Sequence, residues 1–373
     1  MGKRLYTKLD NLDMQILVAL ANYGPRNLTK IARKLSINTE LVRFRINRMV
    51  SLFSLSLHIN VYHTNLGLKK AFVLFDAILG YEDLLFRCLE IKGFCIYLSR
   101  CYGVFEGYVG IYAIPKGHET EFEEFLQEIQ KLGLVRDTKV FWSTCWHTVN
   151  PTGKWFDSQS ETWIFPWVEW IEEIPTKGTE LPYTLVDPMD FPVKADEIDI
   201  FILGELEKDA TISLNDIAKK LGTSIQRVKY HYKKHVIERG LLEDFQIFIF
   251  PFDRKVSDLY FFIFEFDSRE KMAKFSLSLI DKPFVYSMGK ILGENAVIAQ
   301  IYLPKLEFRK FIDMLSKLSN RGFLQDYSYV IQDIRPGMWF REEMHHELFK
   351  DGSWIYDHKK HIQDLRNLVK LKK

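Results

Sequence analysis

Cysteine is scarce in this chain. The four thiols, Cys88, Cys95, Cys101 and Cys145, all fall in the first half, and none are paired as CxxC. A disulfide scaffold is therefore excluded, and a reducing, cytoplasmic setting is expected. Uninterrupted apolar sequence is lacking too. The most apolar stretch, 245–266, is broken by Pro251, Asp253, Arg254, Lys255 and Asp258, so it falls short of the roughly 20 apolar residues that cross a bilayer. Two strands joined by a turn is the better reading, and no membrane association is expected. The start, MGKRLYTKLDNLD, has no apolar core of signal-peptide length. Charge of one sign is missing as well: 51 Lys and Arg oppose 49 Asp and Glu, a formal net charge of +2. A uniformly basic coat is excluded, and any nucleic-acid site must be local. No P-loop, GxGxxG, GxSxG or HExxH occurs. The expectation from this is a protein that is not an enzyme and carries no cofactor.

What is present is a folded composition, 47% hydrophobic and 27% charged over 373 residues, enough for about two to four domains. The chain also repeats itself. Leu12-Asp13 and Ile16-Leu17 answer Ile198-Asp199 and Ile202-Leu203, an offset of 186 that also carries Leu28, Ala32, Leu35 and Val42 onto Leu214, Ala218, Leu221 and Val228. Later, Gly103 falls against Gly293, Ile111-Tyr112 against Ile301-Tyr302, Trp155-Phe156 against Trp339-Phe340, and Trp170 against Trp354. Ordered agreement over a whole half indicates an internal duplication. Pro175, Pro182, Pro188 and Pro192 mark an extended linker at the join, 174–194.

Each copy opens on three short helices. Leu12, Ile16, Leu17 and Leu20 recur at helical spacing up to Gly24-Pro25; Leu28, Ile31, Ala32 and Leu35 form a second inward stripe; Val42, Ile46 and Met49 form a third, capped by Asn38. The second copy repeats this with Ile198, Ile202, Leu203 and Leu206, then Leu214, Ile217, Ala218 and Leu221, then Val228, Tyr232 and His235, capped by Ser224. Two helices with a tight turn, the second bearing a polar and basic face, is the helix-turn-helix plan, whose second helix fits a DNA major groove. Residues 53–63 and 241–250 read as the wings. Residues 1–60 hold ten basic and three acidic residues, a net of +7; residues 194–245 hold nine and ten, a net of −1, although 217–240 is locally basic. Local concentrations of this kind release counterions from a phosphate backbone.

The second segment of each copy alternates as strand 72–78, helix 81–91, strands 94–99 and 107–114, helix 118–132 and strand 135–142, with a matching series from 260 to 332. That order, βαββαβ, is the ferredoxin-like split unit. The expected fold is α+β, with two tandem copies of a winged helix-turn-helix plus a ferredoxin-like domain: 1–66, 67–173 with an aromatic tail, linker 174–194, then 195–252 and 253–373 with a basic tail.

The stretches Leu9-Asp10-Asn11-Leu12-Asp13, Leu28-Thr29-Lys30-Ile31-Ala32 and Val42-Arg43-Phe44-Arg45-Ile46 resemble the DNA-binding segment of the leucine-responsive regulator/AsnC family, a tandemly duplicated archaeal type being implied. The resemblance covers about 45 residues and is looser in the second copy, where His231 stands at the place of Arg45. It implies ferredoxin-like units used for pairing and for sensing small effectors. The effector loop would be 103–106 and 293–296, which depart from the family's glycine–aromatic–Asp pattern.

The functional expectation is a sequence-specific transcription regulator bound to double-stranded DNA. Thr39, Glu40, Arg43 and Asn47 are expected to read bases in the first unit, and Gln226, Lys229, Tyr230 and Lys233 in the second, with Arg33, Arg45, Arg48 and Lys234 on phosphates. The two sheets are expected to pack face to face as an intrachain pseudo-dimer, with a further homodimer open. The alternative is an adaptor whose second unit recruits a basal transcription factor. The tryptophans from Trp142 to Trp170 are expected to serve packing, and His345, His346, His358 and His361 match no zinc spacing. The basic end, 358–373, reads as an amphipathic helix.

Overall fold

A computed structural model describes residues 8–335, 337–341 and 343–371. Lys3, Arg4, Lys372 and Lys373, counted above among the basic residues, lie outside the described residues.

Three helices open the chain: α1 (Asn11–Tyr23), α2 (Leu28–Lys34) and α3 (Thr39–Phe53). A second set follows the linker: α7 (Glu197–Lys208), α8 (Leu214–Leu221) and α9 (Ile225–Tyr230), the last running on as a π-helix, His231–Ile237. Both sets start the same way. Asp10 caps α1 and Asp196 caps α7, each in a capping box closed by the aspartate three residues on, Asp13 and Asp199. Asn38 and Ser224 cap α3 and α9, as their sequence positions predict.

The wings differ from expectation. The strand β1 (Ser56–Val61) forms no hairpin of its own. It pairs antiparallel with β7 (Leu242–Phe248), Ser56 opposite Phe248 and Ile59 opposite Phe245. Each set thus contributes one strand to a shared ribbon. A lone strand leaves its backbone N–H and C=O groups unpaired, and the other half satisfies them.

The main sheet takes from the first half the strands β2 (Leu68–Ala77), β3 (Cys95–Gly103), β4 (Gly107–Pro115), β5 (Val135–Ser143) and β6 (His147–Thr148). Those of the second are β8 (Ser257–Glu265), β9 (Val285–Lys290), β10 (Ala296–Pro304), β11 (Asp326–Gln332) and β12 (Trp339–Arg341). They join in one ten-stranded sheet of order β5-β2-β4-β3-β11-β8-β10-β9-β6, with β12 also on β3. The sheet returns on itself: Ser143 bridges Ile291, and Leu292 N–H donates to the Trp142 carbonyl at 2.8 Å. Its inner faces meet in one core, where Phe72, Leu74 and Ile111 pack with Phe261, Ile263 and Ile298. Residues of both halves meet in this core, and hydrogen bonds also join the sheet edges.

Helices α4 (Glu82–Cys88) and α5 (Glu119–Lys131) cover the outer face of the first half, and α10 (Arg269–Leu279) and α11 (Lys305–Asn320) that of the second. The aromatic tails cross over. Trp167 and Trp170 of α6 (Trp167–Glu173) sink into the second half's core, with Trp170 stacked 5.6 Å from Phe311. The helix α12 (His358–Lys370) returns to the first half, burying Leu365 and Val369 beside α4 and α5, while Arg366 pairs with Glu128 at 2.8 Å. The proline-rich linker is extended but held down. Leu185 is buried, the Thr184 carbonyl accepts from Thr144 Oγ1 at 2.8 Å, and Asp187 pairs with Lys290 at 2.6 Å. All four cysteines are buried. Among the described residues, no helix is long and apolar enough to cross a membrane.

Candidate functional site

The inner face of β2 carries Lys70, Phe72 and Leu74 in one row; the corresponding row of β8 is Leu259, Phe261 and Ile263. The two rows differ at one end, where a lysine faces a leucine. There the core opens into a cavity of about 570 Å³ under the β1–β7 ribbon. His58 and Asn60 of β1, Gln246 and Phe248 of β7, and Trp339 and Arg341 of β12 line it. Apolar walls come from Ile59, Ile96, Ile111, Trp146 and Leu259. A largely apolar chamber of this size with a few convergent polar groups is the usual form of a small-molecule site.

The lining carries three basic side chains, Lys70, Arg254 and Arg341, against two carboxylates, Glu207 and Glu343. Lys70 is 2% exposed, and the carboxylates Glu207 and Glu243 act on its ammonium through space, with no hydrogen bond or ion pair to it among the described residues. Burial, opposed by the acids Glu207 and Glu243 and aided by Arg341, brings its pKa down to about 8. Burial likewise lowers that of Arg341, against the pull of Glu207 and Glu343. Burial and the nearby Arg341 guanidinium hold His58 at about 4, so it is neutral at pH 7. His63 is fully buried and held well below its ordinary value by burial and Lys70, and its Nδ1 lies 2.9 Å from the Val61 carbonyl. Glu207, from the end of α7, is pushed up by burial and accepts from the Met344 N–H at 2.8 Å. The Gln246 side-chain nitrogen is buried with no partner among the described residues. A buried ammonium, and a buried amide donor with no partner among the described residues, both lining one chamber, suit an acceptor-rich, anionic ligand.

None of these groups was singled out in sequence. The signal was a lysine within the otherwise apolar β2 and two histidines in a segment read as a wing.

The residues read in sequence as DNA contacts lie elsewhere, on the outer helices. Arg33, Glu40, Arg43 and Asn47 are exposed and Thr39 half-buried; Arg43 pairs with Glu40 at 2.7 Å. Gln226, Lys229, Tyr230, Lys233 and Lys234 are exposed, with Lys234 paired to Glu238 at 2.9 Å. Arg45 and Arg48 turn inward. Arg45 pairs with Asp10 and, at 3.3 Å, with the buried Asp13, which Arg48 also engages. A phosphate would have to displace these carboxylates, so the geometry gives both arginines a structural task, locking α3 to the start of α1. The exposed face of α3 also carries Phe44 and Val50, apolar groups that read neither phosphate nor charge.

Residues 196–234 match the family of winged helix-turn-helix DNA-binding domains. No curated protein matches the sequence. The fold is similar over nearly its whole length to the crystal structure of the siroheme decarboxylase NirDL, with TM-score 0.51 and 14% identity over 97% of this chain and 99% of that one. The same enzyme in co-complex with an iron-uroporphyrin III analogue gives 0.50 and 14% over 96% and 99%. E. coli AsnC matches 36% of this chain and 92% of its own at 17% identity, with TM-score 0.28. The expectation of a non-enzyme is corrected here, because a full-length counterpart of the fold is an enzyme. Searching for linear motifs missed that possibility because the cavity is assembled from strands spread between 54 and 343.

Proposed function

We propose that the chain is a decarboxylase of an acidic tetrapyrrole, siroheme or a close relative. The observation that carries this reading is Lys70, a buried ammonium set with Arg341 in a chamber whose walls are mostly apolar. A tetrapyrrole matches that pattern: a flat apolar ring with carboxylates at its rim. The whole-length likeness to NirDL supports the choice of ligand.

The reaction is redox-neutral. The carbon–carbon bond to one side-chain carboxylate breaks, CO₂ leaves, and the carbon left behind takes a proton, so an acetate arm becomes a methyl. Arg341 keeps its proton at any accessible pH and serves to anchor carboxylates. His58 and His63 are neutral at pH 7 and hold no proton to spare beyond their ordinary N–H. Lys70, charged at neutral pH but with its pKa brought to about 8, is the group tuned to donate. The apolar walls favour loss of the charged carboxylate over its retention.

The test is anaerobic incubation of the purified chain with siroheme, followed by mass spectrometry of the tetrapyrrole. Loss of CO₂ is expected, abolished by Lys70→Met with the absorption shift of bound tetrapyrrole retained. Neither binding nor mass loss in the wild type overturns the reading.

A second reading, DNA-binding regulation through two duplicated units, is favoured by the match at 196–234 and by the exposed basic residues Arg227, Lys229 and Lys233 on and beyond α9. Arg33, Thr39, Glu40, Arg43 and Asn47 would serve the first unit. Affinity for duplex DNA that falls steeply with salt, with the slope eased by about one unit in Lys229→Ala, supports it. A slope unchanged by that substitution counts against it.

A further inference from the structure

Asp196 and Asp199, from the start of α7, meet His231 and His235, from the π-helix after α9. His231 Nδ1 lies 2.8 Å from Asp199 and 3.5 Å from Asp196; His235 Nδ1 lies 3.0 and 3.6 Å from the same two carboxylates. All four donor atoms fall within 4.8 Å of one another, and Asp199, His231 and His235 are buried. Metal–nitrogen and metal–oxygen bonds of about 2.0–2.1 Å in a tetrahedron place neighbouring ligands about 3.3 Å apart. The four histidine–aspartate separations straddle that value.

Position for position, the other half of the chain shows what belongs there. With the offset of 186, Asp10 and Asp13 correspond to Asp196 and Asp199, and Arg45 to His231. In the first half, the Arg45 guanidinium sits between Asp10 and Asp13. A full positive charge thus neutralises two carboxylates, one of them wholly buried. In the second half the arginine is replaced by an imidazole, and a second imidazole stands where the first half has Met49. Neither imidazole reproduces the guanidinium's fixed fork of donors, so the two carboxylates lose the clamp that their counterparts have. What they do bring is two nitrogen ligands, four residues apart on one helical face.

We propose that this cluster binds a divalent transition-metal ion, zinc being the best fit, as a structural site that fastens α7 to the helix after α9. Two imidazoles and two carboxylates with tetrahedral spacing suit Zn²⁺ or Co²⁺ rather than Mg²⁺ or Ca²⁺, which take oxygen ligands in larger number. The ion takes the electrostatic place that Arg45 holds in the first half. Arg239 has a consequent part. Its guanidinium nitrogen lies 2.9 Å from His235 Nε2. An imidazole bound to metal through Nδ1 carries its proton on Nε2, so loading requires Arg239 to swing off that nitrogen. Its other contact, to the Lys194 carbonyl at 2.9 Å, keeps it near. Nothing in this inference depends on the tetrapyrrole reading.

The experiment is titration of the chelator-stripped full chain with Zn²⁺, with bound metal counted after gel filtration, and with Co²⁺ as a spectroscopic probe. One ion per chain is expected, with a tetrahedral Co²⁺ absorption spectrum and a higher Tm on loading. His231→Gln combined with His235→Gln should lower affinity by more than the roughly 100-fold that an outer-shell change costs. His231→Arg controls for misfolding. It restores the first half's arrangement, so it should keep the Tm of the loaded protein without metal and take up none. Arg239→Ala should bind at least as tightly as wild type. The proposal is overturned if the stripped wild type takes up no stoichiometric metal, or if the double histidine variant takes up as much with the same spectrum.

Discussion

Lys70 and Arg341, 271 positions apart in sequence, line one cavity, and the Arg341 guanidinium adds to the burial that brings the Lys70 ammonium down to about 8. Two cations held close in an apolar chamber raise each other's cost, and an anionic ligand relieves it.

The first prediction concerns that cost. Lys70 binds its proton less tightly in the folded chain, about 8, than its ordinary value of 10.5. Between those values the unfolded chain holds more protons, so stability rises with pH across that window, by roughly 3 kcal/mol in total. Below pH 8 the full penalty is present. Urea unfolding at pH 8 and pH 10 in wild type and Lys70→Met measures it. The variant should be the more stable at pH 8, and the gap should narrow at pH 10. An unchanged gap contradicts the burial of a charged lysine.

Acid should destabilise the chain through His58. Its folded value of about 4 lies below its ordinary 6.5, so as pH falls through that interval the unfolded chain takes up the proton first. Stability present above pH 6.5 is lost on the way to pH 4, about 2 kcal/mol of it by pH 5. Urea midpoints at pH 7 and pH 5 should converge less steeply in His58→Gln than in wild type.

Trp170 ties the halves together. It is fully buried among second-half residues, with its indole N–H 3.2 Å from Ser278 Oγ. Trp170→Ala should cost about 3–5 kcal/mol, the range for emptying a large aromatic site. Because α6 belongs to the first half and its pocket to the second, both should lose stability together. A wild-type melt in two well-separated steps would speak against that coupling.

The arginines of α3 should separate by role. Arg45→Ala removes a charged hydrogen bond from the buried Asp13 and should lower stability by about 2 kcal/mol, read by thermal or urea unfolding. Arg43, exposed and paired only with Glu40, should change stability little. If α3 reads bases, Arg43→Ala should cost about 1–3 kcal/mol in affinity for a specific site, measured by fluorescence anisotropy. An Arg45→Ala variant as stable as wild type would return that residue to the solvent-facing set.

Much of the architecture was legible before the structure. The periodic stripes Ile16, Leu17, Leu20 and Val42, Met49 marked helices that exist, with caps at Asn38 and Ser224, and the βαββαβ order was readable from runs such as Phe72–Asp76 and Tyr260–Phe264. These signals are local, because side-chain period and capping geometry act over a few residues. The candidate site was not legible. The polarity of Lys70 was visible, but its destination was not; Arg341 sits in a short strand that pairs with β3, far back in the chain. Arg45 and Arg48 looked like surface cations because helical spacing alone does not show that Asp10 and Asp13 stand across from them.

The sequence by itself determined the local elements and their order, which follow from short-range backbone preferences and apolar period. Only the tertiary structure decided that the wings pair with each other, that the aromatic tails trade places, and which charges end up indoors. Those outcomes depend on contacts between residues one or two hundred positions apart, where unpaired strand edges and exposed rings are satisfied by whatever surface the rest of the chain presents.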